Sequence, residues 1–225
     1  MTILGIETST AVCSAALCQN GTLLKQCISY EGGNHAKLLP VYIDELLQYA
    51  RDNAMKIDAV ALSEGPGSYT GLRIGTATAK GLCYGLDIPL IPVPTLEVLK
   101  MASGVQQGIL IPMIDARRME VYTSVMVNGE WRDGERAKAV VVENEESLLS
   151  TEDEVYYFGD GAAKCQQVLA EPNWHYIPDI VPQAQYVCAL AEASDRRYQA
   201  SGLAYYEPYY LKEFIAAPSH VKGLK

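Results

Sequence analysis

The first thirty residues constrain the fold most, because they contain three β-rich runs separated by two short turns. The runs read TILGIET, VCSAALC and TLLKQCIS, and the second turn, QNG, contains the Asn-Gly pair that is typical of two-residue β-hairpins. The sequence therefore predicts a three-stranded antiparallel sheet at the start of the chain.

Helix and strand patterns alternate after this sheet. Residues 37–51 space apolar side chains at helical intervals, and Pro40 lies in the first turn, where a helix tolerates proline. Residues 58–64 form an apolar run typical of a buried parallel strand, and residues 71–86 have a helical pattern after a glycine-rich turn. A short strand and a third helix over residues 95–103, capped by its first residue, follow. The first half is thus predicted to continue as βα units.

The second half repeats the strand-first layout, with the runs ILIPMID, MEVYTSVMV, GEW, KAVVV and VYYFG. Further helices are predicted over residues 144–149, 161–169 and 183–198. We place a domain boundary near residues 104–108, which gives an amino-terminal lobe of residues 1–104 and a smaller carboxy-terminal lobe of residues 105–225. Two successive units of this kind favour a duplicated α/β architecture over a single doubly wound sheet.

The glycine-rich turn reads SEGPGSYTGLRIG over residues 63–75 and is similar to two phosphate-binding loops. A P-loop needs a lysine after its last glycine, and this turn has none. The dinucleotide-binding fingerprint G-x-G-x-x-G begins with Gly65 and Gly67 but fails at Thr70. The turn therefore matches neither loop.

The second helix carries two rows of small residues at four-residue spacing. One row is Gly71, Gly75 and Ala79, and the other is Ala77, Gly81 and Gly85. An interior glycine costs a helix about 1 kcal/mol relative to alanine, so these rows need compensation from packing. We expect one row to face the sheet and the other to be free to pack against a second helix.

A positive charge in the first turn of a helix opposes the helix dipole, so Arg73 indicates a specific partner for its guanidinium. Glu64 and Glu97 of the same chain are the alternatives to an acid of another protein. Together with the broad apolar face of the first helix, these features predict a surface that binds a partner. The predicted interface residues are His35, Leu39, Tyr42, Ile43, Leu46, Gly71, Arg73, Ile74, Gly75, Thr78, Gly81 and Leu82.

Residues able to carry catalysis are few. The three histidines, His35, His175 and His220, form neither an H-E-x-x-H nor an H-x-x-x-H pattern, which excludes a two-histidine metal face on a helix. His35 comes just before the first helix and is more typical of a turn or contact residue. We predict no catalytic residue and no metal ligand.

Two acidic residues, Glu7 and Asp115, end predicted strands, where α/β proteins form their sites. Glu7 is followed by three hydroxyl side chains, Thr8, Ser9 and Thr10, which can donate hydrogen bonds to a phosphate. These five residues are a candidate phosphate site. The alternatives are an ordinary polar turn and pairing of the acids with neighbouring arginines or backbone amides.

The net charge of −9 limits the partners of the protein. Nine acidic residues against seven basic ones lie in residues 1–104, and eighteen against eleven lie in residues 105–225. Such a surface repels a phosphate backbone, so a role in a nucleic-acid pathway requires a partner that carries the basic groove. No apolar run reaches membrane-spanning length and the start is not signal-like, so we predict a soluble, cytoplasmic protein.

The six cysteines are scattered without any C-x-x-C pair, and several lie in apolar runs that are predicted strands. This spacing fits neither a zinc site nor a redox motif. We expect reduced, buried thiols.

Four segments resemble the bacterial TsaB (YeaZ) family over nearly the whole chain: ILGIETST, GPGSYTGLRIG, DARRMEVY at residues 115–122, and YYLKE near the end. The second segment is highly specific. The resemblance implies an α/β protein of the actin, hexokinase and Hsp70-like ATPase superfold, with two ribonuclease H-like lobes of which the second is reduced.

The resemblance also implies a role in forming N6-threonylcarbamoyladenosine at position 37 of tRNAs that read codons beginning with A. In that system the paralogue TsaD transfers the threonylcarbamoyl group and an ATPase called TsaE joins the complex. A TsaB-like chain is then a noncatalytic scaffold that pairs with TsaD through its amino-terminal lobe, self-pairs through the same helices, and meets tRNA only indirectly.

This chain is not expected to be the catalytic paralogue, which carries an H-x-x-x-H metal pair and a longer second lobe. Family members often have Asp at the position of Glu7. This difference puts in doubt whether this chain keeps the first phosphate loop of the superfold. No cofactor is expected beyond a remnant ATP site. The GDGA segment at residues 159–162 is a candidate part of that site, and the alternative is that this segment is a turn that starts a helix.

Two other functions compete with the scaffold. One is an independent small-molecule kinase or ATPase on the same fold. The other is the peptidase suggested by older glycoprotease labels of the family, against which the missing metal and nucleophile patterns argue.

Overall fold

The computed structural model describes residues 1–134, 136–194 and 196–212, and within these residues the chain forms two β-sheets and four α-helices. The helices are α1 (His35–Asp52), α2 (Tyr69–Leu86), α3 (Thr95–Ser103) and α4 (Ala184–Glu192). The first three begin and end within about two residues of the predicted positions.

The first sheet has the strand order β3-β2-β1-β4-β5. Its strands are β1 (Thr2–Glu7), β2 (Cys13–Gln19), β3 (Thr22–Ser29), β4 (Ala59–Gly65) and β5 (Leu90–Pro94). The first three are antiparallel, and β4 and β5 continue the sheet in parallel with β1. The predicted antiparallel start and the βα units after it are confirmed.

Alternate residues of β1 face opposite sides of this sheet. Leu4 and Ile6 pack into a core with α1 and α2, whereas Ile3 packs into a second core with α4. At Gly5, on the α4 side, a Cβ would lie 2.6 Å from the Cys188 Sγ and 2.7 Å from the Ala184 carbonyl oxygen. Helices therefore cover both faces of the sheet, and the close approach of α4 requires glycine at position 5.

Helix α4 and residues 203–206 pack on the first lobe, which corrects the predicted lobe of residues 105–225. The apolar face of α4 packs on the first sheet, and Leu203 and Tyr206 join the core beneath α1 and α2. The predicted helix over residues 183–198 also ends earlier, at Glu192. A helical period predicts an apolar face but not which sheet that face covers.

The second sheet has the order β10-β7-β6-β11-β12, with β8 paired to β6 and β9 paired to β8. Its strands are β6 (Ile109–Asp115), β7 (Glu120–Thr123), β8 (Met126–Val127), β9 (Glu130–Trp131), β10 (Lys138–Val141), β11 (Val155–Phe158) and β12 (Trp174–Ile177). Strand β12 was not predicted, because its four residues WHYI are too few for a periodic signal.

Two predicted helices of the second half are wrong. The spans 144–149 and 161–169 contain only the 3₁₀ turns Glu145–Ser147 and Ala163–Cys165. Helices this short gain few hydrogen bonds for the residues that they order.

The predicted cap of α3 is also corrected. Pro94 occupies the position before the helix, and Thr95 lies inside it. The Thr95 hydroxyl accepts a hydrogen bond from the Gly65 amide at 3.1 Å and lies 2.7 Å from the Ser63 hydroxyl. Thr95 thus fastens the start of α3 to the end of β4.

All six cysteines are free; five are buried and Cys27 is half-buried. Among the described residues, no helix combines the length and the apolar character needed to cross a bilayer.

Candidate functional site

Helices α1 and α2 pack side by side on one face of the first sheet, and their outer side carries exposed apolar residues. Val41 is 59% exposed and Tyr84 is 81% exposed. We define the α1–α2 surface by the residues on this outer side: Pro40, Val41 and Leu47 of α1, and Arg73, Ile74, Ala77, Thr78, Gly81, Leu82 and Tyr84 of α2.

The first small-residue row of α2, Gly71, Gly75 and Ala79, faces the sheet. A Cβ at Gly71 would overlap the Thr8 carbonyl oxygen, and a Cβ at Gly75 would overlap the Thr8 hydroxyl. The Thr8 hydroxyl donates a hydrogen bond to the Gly71 carbonyl oxygen at 2.8 Å. These glycines let α2 lie directly against the β1–β2 loop, so they serve the fold.

The second row, Ala77, Gly81 and Gly85, is exposed. Among the described residues, nothing lies within 4 Å of a Cβ built on Gly81 or Gly85. The prediction that one row faces the sheet while the other stays free is confirmed.

The predicted interface is wrong for half of its residues, because they are buried within the chain itself. Six of its residues are buried within the first lobe: His35, Leu39, Ile43, Leu46, Gly71 and Gly75. The broad apolar face of α1 turns toward its own sheet, and the His35 Nε2 lies 3.2 Å from the Val12 carbonyl oxygen. A single sequence does not distinguish a face that packs internally from one that binds a partner.

Tyr42 lies on the flank of α1 that faces β3 rather than α2. Its hydroxyl is within hydrogen-bonding reach of Ser29, and burial raises its pKa. On the same flank Lys25 pairs with Glu45 at 2.9 Å and lies 5.5 Å from the centre of the Tyr49 ring. The remaining predicted residues, Arg73, Ile74, Thr78, Gly81 and Leu82, are accessible, and their role stays a prediction.

Arg73 contacts a residue of its own chain, but this residue is neither of the two predicted acids. Its Nη1 donates to the Tyr69 hydroxyl at 3.1 Å, and its guanidinium lies 5.4 Å from the centre of the same ring. Glu64 instead forms a two-pronged ion pair with Arg196, at 2.5 and 2.9 Å, and Glu97 accepts a hydrogen bond from the Trp131 indole. Arg73 therefore remains on the outer surface, held by an aromatic ring.

A cleft of about 1350 Å³ lies beside this surface, between the two lobes. Its walls are the β1–β2 loop, the first turns of α1 and α2, the β6–β7 turn, Asp160 and residues 210–212. The cleft brings together most of the candidate phosphate site, including Ser9, Thr10 and Asp115.

Glu7 accepts hydrogen bonds from both donors of Ser9 in the β1–β2 loop. This carboxylate is fully buried, and its Oε1 accepts from the Ser9 amide at 2.6 Å and from the Ser9 hydroxyl at 2.5 Å. Burial is the main cause that raises the pKa of Glu7. The Ser9 carbonyl oxygen in turn accepts from the Ser68 amide at 2.6 Å, which joins the loop to the start of α2. The Ser9 donors that a phosphate would use are therefore occupied by the protein's own carboxylate.

The other wall of the cleft carries Asp115 and Asp160. The Asp160 Oδ1 accepts from the Asp115 amide at 3.1 Å, and the Asp115 carboxylate pairs with the Lys164 ammonium. The Asp115 Oδ1 also accepts from the Arg117 amide at 3.1 Å. At Gly161 a Cβ would lie 2.8 Å from the Ile114 carbonyl carbon, so the GDGA turn is pressed against the end of β6.

The acidic residues of this wall are engaged within the protein. Within the part of the chain that the structure describes, no three His, Cys, Asp or Glu side chains converge closely enough to hold a metal ion. His35 is buried. His175, which lies on β12, pairs with Glu154, and His220 lies outside the described residues. The arrangement offers hydrogen bonds and ion pairs within the protein rather than open ligands.

The pKa of Asp160 predicts a pH-dependent effect of one substitution. Removal from water, followed by the nearby Asp115 charge, raises this pKa from 3.8 to about 6. Between these values the native state binds more protons than the unfolded state, so this residue lowers stability as pH rises through the window. We expect Asp160→Asn to raise the melting temperature at pH 7.5 but not at pH 4.

The effect will be modest, because Asp160 keeps solvent contact on the cleft wall. Scanning calorimetry of wild type and Asp160→Asn at both pH values measures it, with the exposed Asp44→Asn as the matched control. An equal gain at both pH values would show that the carboxylate charge is not responsible.

Comparisons with known proteins agree on one family. The family model described as TsaD, tRNA N6-adenosine threonylcarbamoyltransferase, matches residues 30–172. The tRNA threonylcarbamoyladenosine biosynthesis protein TsaB of Haemophilus influenzae is 31% identical over 96% of this chain and 95% of its own length. The protein of the same name from Bacillus subtilis is 37% identical over 56% of this chain and 55% of its own length.

The fold is shared with a solved structure. YeaZ from Pseudomonas aeruginosa superposes with a TM-score of 0.76 at 25% identity, covering 93% of this chain and 99% of that one. The predicted α/β class is confirmed, and the chain shares the YeaZ fold.

Proposed function

Because the chain belongs to the TsaB (YeaZ) family, we propose that it is a noncatalytic subunit in the formation of N6-threonylcarbamoyladenosine in tRNA. It binds a TsaD-like transferase through the α1–α2 surface and acts as its scaffold, in the cytoplasm. A TsaE-like ATPase is the proposed third component.

The exposed row of α2 is the observation that carries this proposal. Gly81 and Gly85 each cost helix stability on the order of 1 kcal/mol relative to alanine, and no described residue packs against either position. Tyr84 of the same helix is exposed, and so is Val41 of α1. A flat, apolar helix face without side chains at its centre suits close contact with a helix of another protein.

The identity of the partner is supported by the shared family model. A model of the transferase matches residues 30–172, which include both α1 and α2. Two related chains can pair through equivalent helices in a pseudo-twofold arrangement, as identical subunits do. A homodimer through the same surface would then compete with the transferase.

The charge of the chain supports an indirect contact with tRNA. A net charge of −9 opposes binding to a phosphate backbone, and phosphate contacts dominate the affinity of proteins for nucleic acids. We therefore assign the tRNA contacts to the partner.

The kinase or ATPase alternative predicts nucleotide binding, and the scaffold does not. We expect calorimetric titration of the isolated chain with ATP and magnesium to show no saturable binding, because Glu7 occupies the Ser9 donors and Lys164 pairs with Asp115. Hydrolysis should also stay at the level of a blank without protein. Magnesium-dependent hydrolysis that Asp115→Ala abolishes would support the alternative.

Coelution on size-exclusion chromatography with the transferase paralogue of the same organism tests the proposal itself. We expect a stable one-to-one complex. Separate elution of the two proteins at tens of micromolar would contradict it.

A further inference from the structure

Residues 209–212, which we call the strap, cross the cleft from the first lobe to the second. The Tyr209 amide donates to the Glu64 carbonyl oxygen at 2.7 Å at the end of β4. Leu211 packs against an apolar cluster that contains Ile114 and Phe158 of the second lobe. The Lys212 ammonium lies 2.5 Å from both carboxylate oxygens of Glu120 on β7. Four consecutive residues thus connect the two lobes.

The glycine-rich turn makes room for the strap. Gly65 has a φ of +113°, and a Cβ there would lie 2.5 Å from the Tyr209 carbonyl oxygen. Only glycine combines this backbone conformation with so close an approach. The first glycine of the turn therefore seats the strap rather than a phosphate.

The strap also contacts the start of α2. The Tyr210 ring packs against the Tyr69 ring, with centroids 4.9 Å apart and ring planes tilted by 40°. Tyr69 is the residue that holds Arg73, through its hydroxyl at 3.1 Å and through its ring. A continuous series of contacts thus runs from the second lobe, through Lys212, Tyr210 and Tyr69, to the α1–α2 surface.

We propose that Tyr210 and Lys212 are positioning residues for Arg73, and that docking of the strap is coupled to partner binding at the α1–α2 surface. This inference rests on the proposed function of that surface. Arg73 held on Tyr69 loses less conformational freedom on binding than a free arginine does. By linkage, a partner that favours the held Arg73 also favours the docked strap.

The test is a double-mutant cycle on affinity for the transferase paralogue of the same organism. We expect Tyr210→Ala to weaken binding roughly fivefold, the lower end of common coupling strengths. In an Arg73→Ala background the same substitution should change nothing further, because its effect passes through Arg73. Tyr205→Ala, which removes a tyrosine that is 91% exposed outside the strap, is the matched control.

Lys212 provides a second variant should Tyr210→Ala fail to fold. Its side chain is 48% exposed, so Lys212→Gln should leave the core intact. We expect weaker binding for Lys212→Gln and wild-type binding for Lys212→Arg, which keeps the charge that pairs with Glu120.

Amide hydrogen exchange distinguishes this coupling from a purely structural role of the strap, because a structural role alone would not make the exchange rate depend on the partner. We expect the partner to slow exchange of the Tyr209 amide in the wild-type chain and not in Arg73→Ala. The coupling would be overturned if Tyr210→Ala and Lys212→Gln fold and bind the partner with wild-type affinity. It would also be overturned if Tyr210→Ala weakens binding equally with and without Arg73. Either result would leave the proposed function intact. A wild-type chain that does not bind the paralogue at all would overturn both.

Discussion

Gly71→Leu is expected to lower the free energy of unfolding by about 3 kcal/mol, at the upper end of common overpacking costs. The first carbon of the new side chain would overlap the Thr8 carbonyl oxygen, which belongs to the backbone of the β1–β2 loop. That loop cannot retreat easily, because Glu7, Ser9 and Ser68 hold it through short hydrogen bonds. For a chain of this size the loss corresponds to a fall in melting temperature of roughly 6–12 °C.

Gly81→Leu on the same helix is the matched control for stability. A Cβ at this position meets nothing within 4 Å among the described residues, and leucine is the better helix former by roughly 0.8 kcal/mol. Calorimetric melting of both variants measures the difference. A Gly71→Leu variant that melts with the wild type would show that α2 does not lie against the β1–β2 loop.

The same Gly81→Leu substitution has the largest expected effect on partner binding. If a partner helix packs across the exposed row, a leucine inserted there overpacks the interface at a cost of about 1–3 kcal/mol. Each 1.4 kcal/mol weakens binding tenfold, so the dissociation constant should rise roughly ten- to a hundredfold. We therefore expect stability and affinity to separate on one helix, with the row at Gly71 and Gly75 needed for folding and the row at Gly81 needed for association.

Local patterns were sufficient to predict the first sheet and the helices packed on it. The three β-rich runs and the Asn-Gly turn became β1, β2 and β3, and the small residues of α2 divided into a buried and an exposed row. These features depend on residues close together in sequence, where alternation and helical period carry the signal.

The errors arose where the outcome depends on contacts that are distant in sequence. The apolar face of α1 was predicted to bind a partner, but Leu39 and Leu46 are fully buried against the chain's own sheet. The apolar face of α4 covers the first sheet, although its sequence position placed it in the second lobe. Periodicity reports that a face is buried and not what buries it.

The sequence indicated the strand ends that carry Glu7 and Asp115, but not the hydrogen bonds around them. Glu7 and Asp115 do end their strands near one cleft, as the rule for α/β sheets suggests. The hydrogen bonds from Ser9 to Glu7 and the pairing of Asp115 with Lys164 could not be predicted, because they depend on side-chain geometry and on a residue 49 positions away. The contact between the Tyr69 and Tyr210 rings likewise left no local pattern.

Calorimetric titration of this chain into the transferase paralogue of the same organism tests the central claim most directly. It should be run with wild type, Gly81→Leu and Ala139→Leu, which adds the same side chain to an exposed alanine of the second lobe. We predict one-to-one binding by wild type and Ala139→Leu, and a dissociation constant roughly ten- to a hundredfold higher for Gly81→Leu. Equal affinity of all three folded proteins, or no binding by any of them, would contradict the account.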